Sequence, residues 1–234
     1  MKNQFRILFI ASVIGCTLSA CKKDSSTEQP FLGYNYFPLA IGSEKIYEVD
    51  SIGYLGWTFD PGTGTVEIDT QKYFIKEVVE SYFTDNEGRQ TARIVRLKRM
   101  NDTDPWTIYK VWSANLTATT AERYEDNIRY IKLVFPPKEN EKWNGNSLNT
   151  NEAWEYEYEN VNESGKLGLL SFDSTLTVIQ IFDPNFVSYR YYVEQYAANT
   201  GMFYKENNNY EYGLNGNIIK NGFKYKETLI SFKP

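Results

Sequence analysis

Trp154-Glu155-Tyr156-Glu157-Tyr158-Glu159 alternates an aromatic ring with a carboxylate for six residues. A period of two belongs to a β-strand with one buried face, so residues 153–160 are expected as a strand with the rings toward a core and the glutamates toward water. Working outward, the longest hairpin signal is an extended segment over 65–84, the turn Asp85-Asn86-Glu87-Gly88, and a return strand over 90–100. Arms this long suggest a bulge, expected where the apolar parity changes between Ile68 and Tyr73. Further strands are expected over 46–51, 106–113, 127–135, 175–183, 188–197, 201–206 and 223–233. Turns are expected at 101–105, at Asn207-Asn208-Asn209 and at Asn215-Gly216, and a polar loop over 138–152. Leu116 to Tyr124 is the only stretch with helical composition, so at most one short helix is allowed. The fold class is all-β: a single antiparallel domain of about ten strands, either a sandwich or an open, curled barrel.

Composition excludes many chemistries. The chain has no histidine, which removes the usual neutral-pH general base, the commonest transition-metal ligand and every imidazole-dependent triad. Net charge is −5 with 30 acidic residues, a poor match to nucleic acid, whose affinity comes largely from phosphate neutralisation. Aromatics make up 16% of residues. That enrichment suits half-buried pleated surfaces, and it also suits sugar-stacking platforms.

The N-terminus carries Lys2 and Arg6, an apolar run from Ile7 to Ile14, and then Leu18-Ser19-Ala20-Cys21. A membrane-spanning helix needs about 20 apolar residues, and Ser12, Thr17 and Ser19 interrupt a much shorter run. A plain secretory signal is the other alternative. A cysteine at the cleavage point, followed at once by polar residues, resembles the lipobox of bacterial lipoproteins. The resemblance implies that residues 1–20 are a signal peptide and that Cys21 is acylated and holds the chain to a membrane. Acyl chains contribute roughly 0.8 kcal/mol per buried methylene, so several anchor stably. With Cys16 removed and Cys21 acylated, no disulfide is available. Residues 21–33 are expected as the lipidated cysteine and a flexible tether, and 34–234 as the β domain. Lipoproteins of this kind that stay at the inner membrane tend to carry aspartate after the cysteine. Lys22 stands there instead, which implies the outer membrane, and Lys22-Lys23-Asp24 is similar to short charged signals that send some lipoproteins to the cell exterior.

The domain opens with Tyr36-Phe37-Pro38-Leu39 and then Gly42 before an aromatic strand. With Phe135-Pro136-Pro137, Trp143-Asn144-Gly145 and residues 196–206, this is similar to uncharacterised bacterial outer-membrane lipoprotein domains, although Ile46 stands where tryptophan is more usual. That group implies no catalytic residues. Asp50-Ser51-Ile52 and Asp173-Ser174-Thr175 look like acceptor sites of an O-glycosylation system found in some envelope-rich bacteria.

Candidate chemistry is sparse. Glu155, Glu157 and Glu159 project at roughly 7 Å intervals, which permits paired-carboxylate glycoside hydrolysis without indicating it, since solvated strand faces look the same. Asp85 with Glu87, and Asp102 with Asp104, fall in turns that explain them without a metal. Trp154 and one of Trp106 or Trp112 are expected in the core. Tyr54, Trp57, Phe59 and Trp143 lie in Gly- and Asn-rich surroundings and are the candidates for a ligand-facing surface, against the plainer expectation that they cap the ends of the sheet. The function expected is a non-enzymatic envelope lipoprotein that binds a glycan, a lipid or a partner protein, with no cofactor and no nucleic acid. A carboxylate-dependent glycan-active enzyme and a structural subunit of an outer-membrane assembly are the alternatives.

Overall fold

The computed structural model describes residues 31–57, 66–213 and 219–234, and gives no description of the side chain of Trp57. One 3-10 turn, Tyr34–Tyr36, precedes twelve strands. They are β1 (Glu44–Trp57), β2 (Val66–Thr84), β3 (Gln90–Arg99), β4 (Thr107–Leu116), β5 (Thr120–Glu125), β6 (Ile128–Val134), β7 (Lys142–Asn144), β8 (Glu155–Leu167), β9 (Leu170–Pro184), β10 (Ser188–Ala197), β11 (Gly201–Tyr212) and β12 (Ile219–Lys233). All pair antiparallel in a single sheet in which consecutive strands are neighbours, β6 and β7 excepted, and β12 returns to pair with β1. The circuit is interrupted only between β6 and β7, so the sheet is a nearly closed barrel.

Pleating sorts the side chains. On β1, Lys45, Tyr47 and Val49 are buried while Glu44, Ile46, Glu48 and Asp50 are less so. The outward positions of the neighbouring strands carry Lys72 and Lys226, which reach Glu48 at 2.9 Å and Asp50 at 3.5 Å. The outer face here is charged rather than an apolar belt. On β8 the rings of Tyr156 and Tyr158 are buried while Glu155 and Glu159 are exposed, as the alternation requires.

One end of the barrel is stoppered by the chain's own N-terminal segment. Tyr36 is fully buried, its hydroxyl 2.6 Å from Ser174 Oγ, and Phe37 is buried beside it. The Tyr34 hydroxyl donates to the Ala118 carbonyl, and the Asn199 amide donates to the Asn35 carbonyl. The compact unit begins at Phe31, whose ring meets Tyr36 edge-on at 5.9 Å. Gly33 allows this path: its φ is +75°, and a Cβ there would run into Pro137.

Residues on both sides bridge the β6/β7 seam. The Tyr158 hydroxyl donates to the Val134 carbonyl and accepts from the Val134 amide, both at 2.8 Å. The Ile131 amide donates to the Gly145 carbonyl, and Trp143 Nε1 donates to the Ile131 carbonyl.

Over Leu116 to Tyr124 no helix forms, which stays within the expected limit of at most one short helix; other expectations are corrected. β4 turns directly into β5, with Thr117 Oγ1 accepting the amides of Thr119 and Thr120, and the β-branched threonines that weaken a helix suit the strand. β5 and the short β7 are the two strands beyond the expected ten. The register between Ile68 and Tyr73 is unbroken, and the shifts of β2 lie at Val79/Ser81 against β3 and opposite Tyr54/Trp57 against β1. Asn207-Asn208-Asn209 is not a turn. These residues sit inside β11, opposite Tyr192, Tyr191 and Arg190 on one side and Tyr225, Lys224 and Phe223 on the other, because pairing on both edges overrides the turn preference of asparagine. The 85–88 turn forms as expected, with Asp85 Oδ1 accepting the amides of Glu87 and Arg89. Asn215-Gly216 lies outside the described residues.

Candidate functional site: the open end of the barrel

The end opposite the N-terminal stopper is open. β6, β8, β9, β10 and β11 place Tyr130, Lys132, Tyr156, Gln180, Tyr192, Lys205 and Asn207, with Trp154 just before β8, around a cavity of about 480 Å³, within the ~300–1,000 Å³ range of small-molecule sites. A second lobe of about 250 Å³ adjoins it, walled by Tyr73, Tyr109, Trp112 and Tyr225, and the two lobes share Glu125, Lys205 and Asn207. Trp154 and Tyr192 meet edge-to-face at 5.2 Å in the larger lobe.

The floor is ionic. Lys132 Nζ lies 2.6 Å from Glu194 Oε1 and 3.5 Å from Glu125, and Lys205 Nζ lies 3.1 Å from Glu194 and 3.7 Å from Glu125. The Tyr196 hydroxyl donates to the other oxygen of Glu194 at 2.6 Å. Burial pushes both carboxyls up, but the two ammoniums outweigh it and hold Glu125 and Glu194 below the usual carboxylate range. Burial likewise pulls the lysines down, and the same carboxylates carry them above their ordinary value. Beneath the second lobe Arg96 pairs with Glu227, and beside it Arg123 pairs with Glu77. Both guanidiniums lie over the Trp112 ring, at 4.1 and 4.9 Å. At its rim Lys110 reaches Asp126 at 2.5 Å.

Among the described residues, two amide atoms in the wall find no partner: Gln180 Nε2, a donor, and Asn207 Oδ1, an acceptor. Gln180 is only 4% exposed. A buried polar atom left unpaired costs about 1–3 kcal/mol, which an occupant with hydroxyls would recover.

Of the residues singled out from sequence, Trp143 is half-buried at the seam, with ring centroids 5.8 Å from Tyr156 and 4.5 Å from Tyr158, and does not line the cavity. Tyr54 is half-buried on β1, away from Trp143 and from both lobes. Trp57 ends β1, and Phe59 and Cys21 lie outside the described residues. Trp154, expected in the core, packs against it on one side and walls the cavity on the other; Trp112 is the buried one of the remaining pair. Glu155 and Glu157 point outward to Lys142, at 2.8 and 3.4 Å. The Ser174 hydroxyl, in the second candidate glycosylation site, donates to Asn162 and meets Tyr36. Sequence reasoning missed Glu125, Lys132, Gln180, Glu194, Lys205 and Asn207. Their signal was parity: Glu194 stands between Tyr192 and Tyr196 on one strand face, the face that carries the buried rings.

No protein-family model matches the chain, and no curated protein matches it. A solved structure of a "putative exported protein with YmcC-like fold" from Bacteroides fragilis NCTC 9343 aligns with 85% of this chain and 98% of its own, at 12% identity and a TM-score of 0.40.

Proposed function

We propose that this protein is a cell-envelope lipoprotein, anchored to the outer membrane through acylated Cys21, that binds a small polar ligand in the open end of its barrel and does not catalyse a reaction. The observation that carries the binding role is the cavity with its unpartnered Gln180 and Asn207 amides. The sequence around Cys21 supports the anchor. The buried carboxylates at the cavity floor do not suit acid–base chemistry: glycoside hydrolysis needs one acid with a raised pKa, and Lys132 and Lys205 hold both Glu125 and Glu194 ionised.

Two experiments test this. Cys21→Ser should move the chain from the membrane fraction to the soluble fraction, and retention of that variant on membranes would refute the anchor. A thermal-shift screen of the mature chain against glycans, fatty acids and divalent cations should give a hit that Trp154→Ala abolishes; a ligand at 100 times its Kd adds about 2.7 kcal/mol. A screen without any hit sensitive to Trp154→Ala would end the binding reading.

A second reading, a subunit of a larger envelope assembly, is favoured by one feature. The β9–β10 hairpin presents Phe186 and Val187 at 99% and 69% exposure with Phe182 at 63% beside them, and Tyr191, Tyr189, Tyr210 and Tyr212 continue the row of rings. Apolar exposure of this kind marks contact surfaces. Loss of a co-purifying envelope protein on Phe182→Ser/Phe186→Ser, with ligand binding intact, would support it.

A further inference from the structure

We infer that the occupant of the open end is a neutral disaccharide unit, one sugar ring in each lobe; this rests on the binding reading above and specifies its ligand. Three observations converge. The lobes are adjacent, with Glu125, Lys205 and Asn207 lining both, so a ligand that reaches into both is longer than one ring. Each lobe offers an aromatic ring of the kind that the apolar face of a pyranose covers: Trp154 and Tyr192 in the larger, and the exposed Tyr109 in the smaller, where Tyr73 is buried under Lys98.

Charge decides between neutral and ionic ligands. The cations at the two lobes are Lys132, Lys205, Arg96 and Lys110, and each already has a carboxylate partner within 4 Å. An acidic ligand would have to displace one of those carboxylates, and among the described residues a cationic ligand would find only the exposed, solvent-screened Glu152 without a cation, a weak partner. The further charge lining the larger lobe is Glu152, an exposed carboxylate, which repels anions. An alkyl chain fits no better, since it would cover the ionic floor and leave the Gln180 donor and the Asn207 acceptor unsatisfied. Hydroxyl groups, which donate and accept at once, satisfy both amides without net charge.

The test is titration calorimetry on the mature, acylated chain in detergent with cellobiose, maltose, lactose and chitobiose, their monosaccharides, a uronic-acid disaccharide, and laurate. At least one neutral disaccharide should bind about tenfold or more tightly than its monosaccharides. Tyr109→Ala, an exposed position in the smaller lobe, should erase that advantage and leave monosaccharide binding unchanged. Asn151→Ala, at the exposed rim of the larger lobe, should weaken both, and should do so without altering the melting curve. Tighter binding of the uronic-acid disaccharide or of laurate, still sensitive to Asn151→Ala, would overturn the neutral-sugar inference while leaving the binding reading standing. Equal affinity for mono- and disaccharide would overturn the two-ring inference. Silence across the whole panel overturns this inference, and the binding reading too if the wider screen is also silent.

Discussion

At the scale of single residues, the buried charges of the barrel fall into two kinds. Glu194 is fully buried but surrounded: two lysines and a tyrosine hydroxyl reach its oxygens. Removing its charge leaves Lys132 and Lys205 competing for Glu125 alone. Breaking a buried pair from one side costs about 3–5 kcal/mol, so Glu194→Gln is expected to lower the urea-unfolding free energy by about that amount, with the midpoint falling and the slope unchanged. Lys45 is the opposite case. It is 9% exposed, and among the described residues no carboxylate lies within ion-pairing distance of its ammonium. Burial pulls its pKa down, and the more distant Glu77 offsets this only in part. Glu77 keeps Arg123 and Arg96 without it. Lys45→Met is therefore expected to stabilise the domain by about 1 kcal/mol at neutral pH, read as a melting temperature higher by about 2–4 °C for a domain of this size. A lower melting temperature would show that Lys45 contributes to the network rather than burdening it.

At the scale of elements, the β6/β7 seam is the weak line, because a few residues there replace a continuous ladder. Tyr158 carries two of its hydrogen bonds through one hydroxyl. Tyr158→Phe leaves the Val134 amide and carbonyl without that partner and should cost about 1–3 kcal/mol, with amide hydrogen exchange accelerating in β6 before it does in β1 or β12. Uniform acceleration across the sheet would contradict a local seam. Gly145 belongs to the same line: a Cβ there would strike the Tyr156 ring, so Gly145→Ala should loosen β7 in the same assay. The strands themselves were largely readable from period and turn residues, as β10 over Ser188–Ala197 shows. Where local reading fails, the cause is pairing from outside the segment: the composition of residues 116–124 does not reveal the strand β5, and the asparagines of β11 favour a turn when read alone, because neither segment carries its neighbours with it.

For the whole molecule, the ionic interior sets how stability varies with pH. Glu77, Glu125 and Glu194 have folded pKa values below their unfolded ones. The stability they contribute is present above the unfolded value of roughly 4.3 and is lost as pH falls through the folded values. Lys132 and Lys205 are raised, so their contribution is complete below roughly 10.4 and is lost as pH rises through their folded values. Lys45, being lowered, works against them on the alkaline side. Melting temperature against pH should show a plateau between about pH 5 and 10 with a fall on both sides, the alkaline one reinforced by buried tyrosines such as Tyr47, Tyr156 and Tyr196, whose hydroxyls burial holds above their ordinary value. A maximum confined to the acid limb would refute the ionised assignment of the three glutamates.

By itself, the sequence determined what local chemistry determines: an all-β chain, from the alternation of Trp154 to Glu159 and the turn at 85–88, and the exclusion of imidazole chemistry; the lipidation of Cys21 is a proposal that rests on a resemblance in residues 18–21. Only the tertiary structure decided that the sheet curls into a nearly closed barrel rather than a sandwich, and that its open end is ionic and amide-lined. The physical reason is sequence distance. Glu125, Lys132, Glu194 and Lys205 stand on β5, β6, β10 and β11, and each alone reads as an ordinary charged residue. Curling the sheet turns their shared face inward and brings them within 4 Å of one another, where burial and mutual charge give them a character that no local pattern carries.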